Sequence, residues 1–436
     1  TMILARVLHI SIHICKVLIP MALPGIVLSF VKFSWIAGFS FVLAIILSAA
    51  FSIFLINALY LLVLRITTPD RFQNIISYIQ IAFTILVYAS YQVVPRLFDK
   101  SFNEQFTLGH SFSWLAAPPY WYGALLSMVT QPLADPVLIT SATLAILMPI
   151  VGLVLVVKYF APTFNQKLSM IAGSGAELMP ASKKNISSHA GIYSRTMAKI
   201  FTRQGVERES FLFNWKQMLR SREFKMKVYP GIGYLLVLAA LPMLRSKASF
   251  SSFANNLRLG EGGSKFFIMS MLYITGLLVL TAIGQMTYSD KFKASWIFRS
   301  TPVQQPGLLL SGGAKAAFAQ FLLPAYVIVA APLWVINGWD IVVHLVTSFA
   351  GLLFITAFIT YMGERHLPWS APPNDQTKGG TVFKNILLML GLGITGVIHG
   401  VLFAYPLALW ALAIIAGISA FALFKSISKF DWLDLK

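Results

Sequence analysis

Acidic residues are scarce in this sequence, and they are absent from its hydrophobic stretches. The chain of 436 residues has 15 Asp and Glu against 34 Lys and Arg. No Asp or Glu falls inside any of ten apolar segments. Secondary transporters and ion pumps usually bind protons or sodium on carboxylates within the membrane. The missing carboxylates therefore count against a chain that is driven by an ion gradient.

Other chemistry is missing as well. The single cysteine, Cys15, excludes an intramolecular disulfide and provides no metal-binding spacing. The sequence has no Gly-x-x-x-x-Gly-Lys-Ser/Thr loop, no His-Glu-x-x-His motif and no Gly-x-Ser-x-Gly motif. The run from Ser311 to Lys315 resembles part of a phosphate-binding loop but lacks its spacing and its hydroxyl residue. We predict no catalytic residue, no cofactor and no metal site in this chain.

What the sequence has in abundance is apolar surface. It is 57% hydrophobic, its mean hydropathy is +0.74, and residues 35–64 contain no charged side chain. About 20 apolar residues cross a bilayer as a helix, and a helix satisfies its own backbone polar groups in lipid. The prediction is an all-α, polytopic helical membrane protein with about ten spans, at residues 7–31, 35–64, 73–95, 137–157, 229–244, 266–285, 316–337, 341–362, 383–402 and 404–424.

The charge balance sets the expected orientation. A net charge of +19 can indicate a nucleic-acid partner, but Lys and Arg also accumulate in the cytoplasmic loops of membrane proteins. With the C-terminus inside, 26 of the 34 basic residues are cytoplasmic. We therefore predict a multi-pass protein of the cytoplasmic (inner) membrane with a cytoplasmic C-terminus and no nucleic-acid partner.

Two pairs of short strings suggest an internal repeat. The two strings of each pair are separated by nearly the same number of residues, and such repeats are common in transport proteins. We predict an incomplete first transmembrane unit at 1–157, a flexible cytoplasmic linker at 158–196 and a second six-span unit at 197–436. On this logic about 100 residues with two further spans precede the first unit. The strings are Ala5-Arg6 before Pro20 and Pro24, with Ala314-Lys315 before Pro324 and Pro332, and Phe72-Gln-Asn74-Ile75 with Phe383-Lys-Asn385-Ile386.

A short cytoplasmic segment between the predicted spans 266–285 and 316–337 is the first candidate site. Ser289 or Asp290 can cap a short helix, and Pro302 and Pro306 end it. Aromatic and Arg anchors beside a polar rim are typical of a protein–protein contact. Snorkelling at the membrane surface explains the same pattern. The candidate residues are Asp290, Lys291, Phe292, Trp296, Phe298 and Arg299.

Two further segments are rich in aromatic residues. Residues 196–227 predict one helix, which either lies among the lipid headgroups or packs on neighbouring loops. The loop around Pro118 predicts a re-entrant segment, which forms either an external gate or an interface anchor. His344 and His399 are interpreted as packed, hydrogen-bonded residues rather than as a proton relay. The first segment contributes Phe211, Trp215, Lys216, Arg220 and Arg222, and the second Trp114, Tyr120, Trp121 and Tyr122.

The order of a surface helix, two spans, a cytoplasmic segment and four spans resembles the permease of an ABC-2-type exporter. The string Asp290-Lys-Phe-Lys-Ala-Ser-Trp296, with Pro302 and Gly313-Ala-Lys315, is also similar to the fused, twelve-span ABC exporter permeases of bacteria. The resemblance covers residues 197–436 and, as an incomplete first half, residues 1–157.

The resemblance implies two pseudo-repeated six-span units, and it implies roles for two of the segments. Residues 286–300, within a coupling segment at 286–315, would be the coupling helix that docks into a separate ABC ATPase, which is expected in two copies. Residues 197–227 would be the elbow helix. The chain would then move an amphipathic or hydrophobic substrate, with membrane lipids as its other partners. The alternatives are an ion-gradient-driven secondary transporter and a membrane-embedded lipid-processing enzyme.

Overall fold

A computed structural model describes residues 2–67, 69–98, 115–130, 135–155, 158, 191–245, 257–259, 264–363, 365–373 and 379–435. Within these ranges the named elements are all helical, and one isolated bridge joins Tyr288 to Ala371. The α-helices are α1 (Met2–Lys32), α2 (Trp35–Ile66), α3 (Pro69–Phe98), α4 (Pro118–Thr130), α5 (Pro136–Leu155), α6 (Ile192–Phe201), α7 (Val206–Arg220), α8 (Arg222–Arg245), α9 (Ser264–Ile274), α10 (Gly276–Met286), α11 (Trp296–Ser300), α12 (Gly307–Ala317), α13 (Leu323–Asn337), α14 (Val342–Met362), α15 (Gly379–Val401) and α16 (Pro406–Ile427).

Seven helical segments among the described residues are long and apolar enough to cross a membrane. The chain is therefore a helical membrane protein with several spans, as its apolar runs predict. The other three predicted spans, 7–31, 73–95 and 229–244, coincide with α1, α3 and α8. A total of ten spans stays a prediction. The seven segments are Trp35–Tyr60, Pro136–Leu155, Lys265–Met286, Gly307–Asn337, Val342–Met362, Val382–Val401 and Pro406–Ile427.

The chain divides into two compact units. The first comprises Thr1–Ile76 and Ser101–Ser182, and the second comprises Ser77–Lys100 and Lys183–Lys436. In the first unit α4 packs against α2 and α5, with the ring of Trp121 edge-on to Phe51 at 5.4 Å. The core of the second unit is a single cluster of buried apolar residues drawn from α6 to α16.

The single helix predicted at 196–227 is wrong, because the structure has three helices there. The first starts at Ile192, inside the predicted linker 158–196, whose residues 159–190 lie outside the described part. Gly205 separates α6 from α7 with a φ of +98°, a conformation that favours glycine. Ser221 separates α7 from α8, and its hydroxyl accepts a hydrogen bond from Phe224 N–H.

The helix that contains the predicted span 316–337 begins earlier than that span, at Gly307. Its Ser-Gly-Gly-Ala run is helical and packs tightly against α7, so these small residues do not form a loop. A π-helical turn at Phe318–Leu322 joins α12 to α13. The combined helix of 31 residues measures about 46 Å at 1.5 Å per residue, so its first turns extend beyond a hydrocarbon core of about 30 Å.

The second unit has two distinguishable ends. At the end we call the basic end, the starts of α7 and α12 lie near the end of α16. Gly307 N–H donates to Phe430 O at 3.1 Å, and Trp432 Nε1 donates to Val303 O at 3.0 Å. At the far end, Asn337 binds both Leu257 and Leu259 through their backbones. The basic end holds Lys291, Lys293, Arg299, Arg365, Lys425 and Lys429.

Candidate docking surface

The predicted contact segment forms a short helical projection at the basic end. A 3₁₀ turn at Phe292–Ser295 continues into α11, and Ser289 Oγ accepts a hydrogen bond from Lys291 N–H. Trp296 is 67% exposed and its neighbour Ile297 is 52% exposed. We call this projection, residues 290–300, the docking helix. Its charged residues Asp290, Lys291, Lys293 and Arg299 are also exposed.

One side of the docking helix rests on the protein. Phe298 is half-buried, and its ring lies edge-on to Phe213 of α7 at 6.0 Å. Phe292 is half-buried as well. The aromatic residues therefore divide into two groups, because Phe292 and Phe298 are half-buried while Trp296 is exposed. The large apolar residues of the docking helix that remain exposed are Trp296 and Ile297.

A backbone brace fixes the start of the docking helix. Trp369 N–H donates to Met286 O at 2.7 Å, Ala371 N–H donates to Thr287 O at 3.1 Å, and Ser289 N–H donates to Ala371 O at 3.0 Å. Three consecutive bonds of this kind hold the segment after α10 against the segment after α14. The start of the docking helix is therefore hydrogen-bonded to the segments at the ends of two spans.

Trp369 also connects this brace to α7. Its Nε1 donates to the buried Asn214 Oδ1 at 2.9 Å, and its ring lies 5.7 Å from that of Phe224. Trp369 has a φ of +62°, in the left-handed region that a bulky side chain rarely adopts. The Asn214 bond and the Phe224 contact hold the residue in this conformation.

A buried ion pair fastens α7 to α12. Glu207 Oε1 lies 2.6 Å from Lys315 Nζ and accepts a hydrogen bond from Ser311 Oγ at 2.6 Å, while Glu207 Oε2 accepts one from Arg203 N–H at 2.9 Å. Burial raises the pKa of Glu207, but the bonds to Lys315, Ser311 and Arg203 outweigh it and hold the pKa below its ordinary value. The carboxylate is therefore charged at neutral pH and completes a polar link between the two helices.

The close approach of these helices depends on small residues. A Cβ at Gly312 would lie 2.5 Å from Glu207 O, and one at Gly313 would lie 2.8 Å from the Met286 side chain. Ser210 Oγ donates to Leu309 O at 2.8 Å across the same interface. The run that resembles a phosphate loop is therefore a helix-packing surface.

The structure places the predicted elbow-helix residues in two environments. Phe211 is completely buried and Trp215 is 8% exposed, with the two rings stacked at 5.7 Å. Lys216 is half-buried and Arg220 is exposed, while Arg222 Nε donates to Ser77 Oγ of α3 at 2.6 Å. The apolar face of α7 thus packs on protein.

Two carboxyl groups meet where the docking helix passes the start of α8. Glu223 hydrogen-bonds to Asp290, and both burial and this neighbouring carboxyl raise the pKa of Glu223. Lys227 partly opposes the effect. Like charges at such a contact repel, so the docking helix and α8 are linked by a bond that depends on protonation.

The predicted external-gate residues belong to the first unit. Tyr120 and Trp121 are buried on α4, and Trp121 Nε1 donates to Leu115 O at 2.9 Å. Tyr122 is half-buried, with its hydroxyl 3.4 Å from Leu47 O of α2. Trp114 lies outside the described residues. The three described residues thus pack within their own unit.

Three polar side chains form a buried chain near the far end. Tyr273 Oη lies 3.0 Å from His399 Nδ1, and His399 Nε2 lies 3.2 Å from His344 Nδ1. His399 is completely buried, and the two imidazole rings are stacked 5.4 Å apart. The histidines are packed and hydrogen-bonded, as interpreted from the sequence.

Sequence reasoning missed Glu207, Asn214 and Trp369. The sequence does contain a signal that Glu207 is buried and paired, because it is an acidic residue on a helix whose apolar face predicts burial. Asn214 and Trp369 lie 155 residues apart and carry no local signal of their pairing.

Among the described residues, no group of three or more His, Cys, Asp or Glu could hold a metal ion. Comparison with known protein families, curated proteins and solved structures gives no match.

Proposed function

We propose that this chain is the membrane-spanning permease of an ATP-driven exporter, and that a separate ATPase drives it through the docking helix. It would lie in the inner membrane of a bacterium, with ten spans and with the basic end and the C-terminus in the cytoplasm. The proposal rests chiefly on one observation, the exposed Trp296–Ile297 pair in the same short segment as the exposed Lys291, Lys293 and Arg299. Exposed aromatic anchors with a charged rim are typical of protein–protein contacts.

The connections behind the docking helix support a mechanical role. Force on Trp296 passes through α11 to the brace at Met286 and Ala371, and so to α10 and α14. Phe298 passes force to α7, which the Glu207–Lys315 pair joins to α12. Packed side chains and hydrogen-bonded elements of this kind carry energetic coupling between distant sites. Closure of the ATPase would tilt these spans and open a path for an amphipathic or hydrophobic substrate.

Copurification with the ATPase tests the proposal. The Trp296→Ala/Arg299→Glu variant should lose the ATPase, because truncating one central Trp anchor costs about 2 kcal/mol, which is about 30-fold in affinity. The matched control is Trp339→Ala/Arg258→Glu at the far end, where Trp339 is 79% exposed. Undiminished ATPase recovery with the first variant, or equal loss with both, would reject the docking assignment.

The buried histidine pair supports one second candidate, a secondary transporter driven by protons. His344 and His399 are hydrogen-bonded within the bundle, where ionisable groups can mark proton pathways. Transport in sealed vesicles separates the two candidates. An ATPase-driven exporter stops when ATP is withdrawn and continues when the proton gradient is collapsed, whereas a secondary transporter responds in the opposite way.

A further inference from the structure

A basic cavity lies at the basic end of the second unit, outside the docking surface. It has a volume of about 370 Å³ and is formed by the end of α6, the Glu207–Lys315 pair, the start of the π-turn and the last three turns of α16. Arg203 and Lys425 are exposed at its edge, while Glu207 is only 3% exposed. Three cations and one carboxylate therefore surround a space that favours an anion.

The α16 wall of this cavity changes from polar to apolar along the helix. Gly417, Phe421, Phe424, Lys425 and Ser428 line it, at spacings that place them on one helix face. Lys425 and Ser428 lie at the polar end of α16, Phe421 lies about one turn before Lys425, and Gly417 lies about two turns before Lys425, further into the span. Phe421 is 64% exposed, and no atom lies within 4 Å of a Cβ built on Gly417.

We propose that this cavity binds an anionic phospholipid, with its phosphate between Arg203 and Lys425 and an acyl chain along the Gly417–Phe421 face. Basic pockets between spans on the cytoplasmic side recognise anionic headgroups. The exposed apolar stripe within the span selects a lipid over a free phosphate, because a soluble anion would leave Phe421 and Gly417 uncovered. The bound lipid would connect α6 and α16 beside the ion pair that anchors α7.

Native mass spectrometry of the detergent-solubilised full chain tests the headgroup half of the site. Phosphatidylglycerol should bind more tightly than phosphatidylcholine with the same acyl chains. One Lys or Arg near an anionic surface contributes about fivefold in affinity, so Arg203→Gln/Lys425→Gln should weaken phosphatidylglycerol binding roughly 25-fold. The control is Lys429→Gln, one turn beyond Lys425, exposed and outside the cavity lining. Equal affinity for the two lipids, or an unaffected double variant, would overturn the proposal.

A second pair of variants tests the part of the site that would bind the acyl chain. Gly417→Phe fills open space along the stripe and should reduce binding of phosphatidylglycerol at least tenfold. Ile418→Phe places the same aromatic side chain at the next position, which is 64% exposed and outside the lining, and should leave binding unchanged. Glycerol 3-phosphate should not displace the lipid. Displacement by glycerol 3-phosphate, combined with normal binding to Gly417→Phe, would identify a site for a soluble anion and refute the lipid assignment.

Discussion

Replacing Lys315 by methionine should weaken the contact between α7 and α12 and destabilise the second unit. The Glu207 side chain is 3% exposed and that of Lys315 is 17% exposed, so the pair is shielded from most screening by water. Removing one partner of a buried ion pair costs about 3–5 kcal/mol because the other charge stays buried. Glu207 retains its bonds from Ser311 and Arg203, and Lys315 is partly exposed, so we expect about 2–3 kcal/mol.

The expected loss can be measured by thermal unfolding in detergent. At about 2–4 °C per kcal/mol for a unit of this size, the midpoint of Lys315→Met should fall by about 4–12 °C. The double variant Glu207→Gln/Lys315→Met removes the stranded charge and keeps an amide for Ser311 and Arg203. It should recover part of the loss, and the double-mutant cycle isolates the coupling. Simple addition of the two single losses would refute a direct ion pair.

The pH dependence provides an independent check of the same pair. In the wild type the pKa of Glu207 lies below its ordinary value, so its contribution to stability is present at neutral pH and is lost as the pH falls through the folded-state pKa. Without Lys315, burial is opposed only by the bonds from Ser311 and Arg203, so the pKa of Glu207 should be higher than in the wild type and protonation at acid pH should cost the variant less stability. The difference in midpoint between the two proteins should therefore shrink on acidification, and a constant difference would contradict the account.

Four further predictions concern other contacts. Gly312→Ala should destabilise the second unit, because its Cβ would lie 2.5 Å from Glu207 O, whereas Gly284→Ala meets open space and should not lower the unfolding midpoint. Asn214→Leu should cost about 1–3 kcal/mol in thermal unfolding, since it leaves the buried Trp369 Nε1 without its acceptor. Glu223→Gln should raise the midpoint at neutral pH and have less effect at acid pH, because the pKa of Glu223 is raised beside Asp290 and its charge is unfavourable above that pKa. Tyr273→Phe should cost about 1 kcal/mol of stability and so lower the unfolding midpoint, because it removes the hydrogen bond between Tyr273 and His399. Tyr193→Phe is the control, because it removes a partly buried hydrogen bond to Ala319 O and tests whether any hydroxyl deletion has the same effect.

Apolar runs predict the later spans closely because their lengths match a bilayer and proline or glycine marks their ends. The predicted span 341–362 corresponds to α14, Val342–Met362, and the predicted break near Pro406 separates α15 from α16. Hydropathy indicates only which residues are apolar enough to lie in the membrane, so it cannot locate a helix start that depends on contact with another helix. Gly307 starts α12 outside the predicted span because the small residues after it pack against α7.

The candidate site is only partly visible in the sequence. The composition of residues 290–300 indicates an amphipathic projection, but it cannot decide which aromatic residue is covered. Phe298 is half-buried because Phe213 of α7 lies beside it. Trp296 is 67% exposed, because the described helices leave most of its side chain uncovered. The brace through Met286 and Ala371 joins segments more than 80 residues apart, a distance over which local patterns carry no information.

Photo-cross-linking from the docking helix in native membranes is the most direct test of the central claim. Ile297 is 52% exposed beside Trp296, so replacing it by p-benzoylphenylalanine places a reactive ketone at the proposed contact. The same replacement at Trp339, at the far end, serves as the matched control. The account predicts a cross-link from position 297 to a polypeptide with an ATP-binding phosphate loop, and none from position 339. Cross-links from 297 to lipid alone, or the same ATPase captured from both positions, would contradict it.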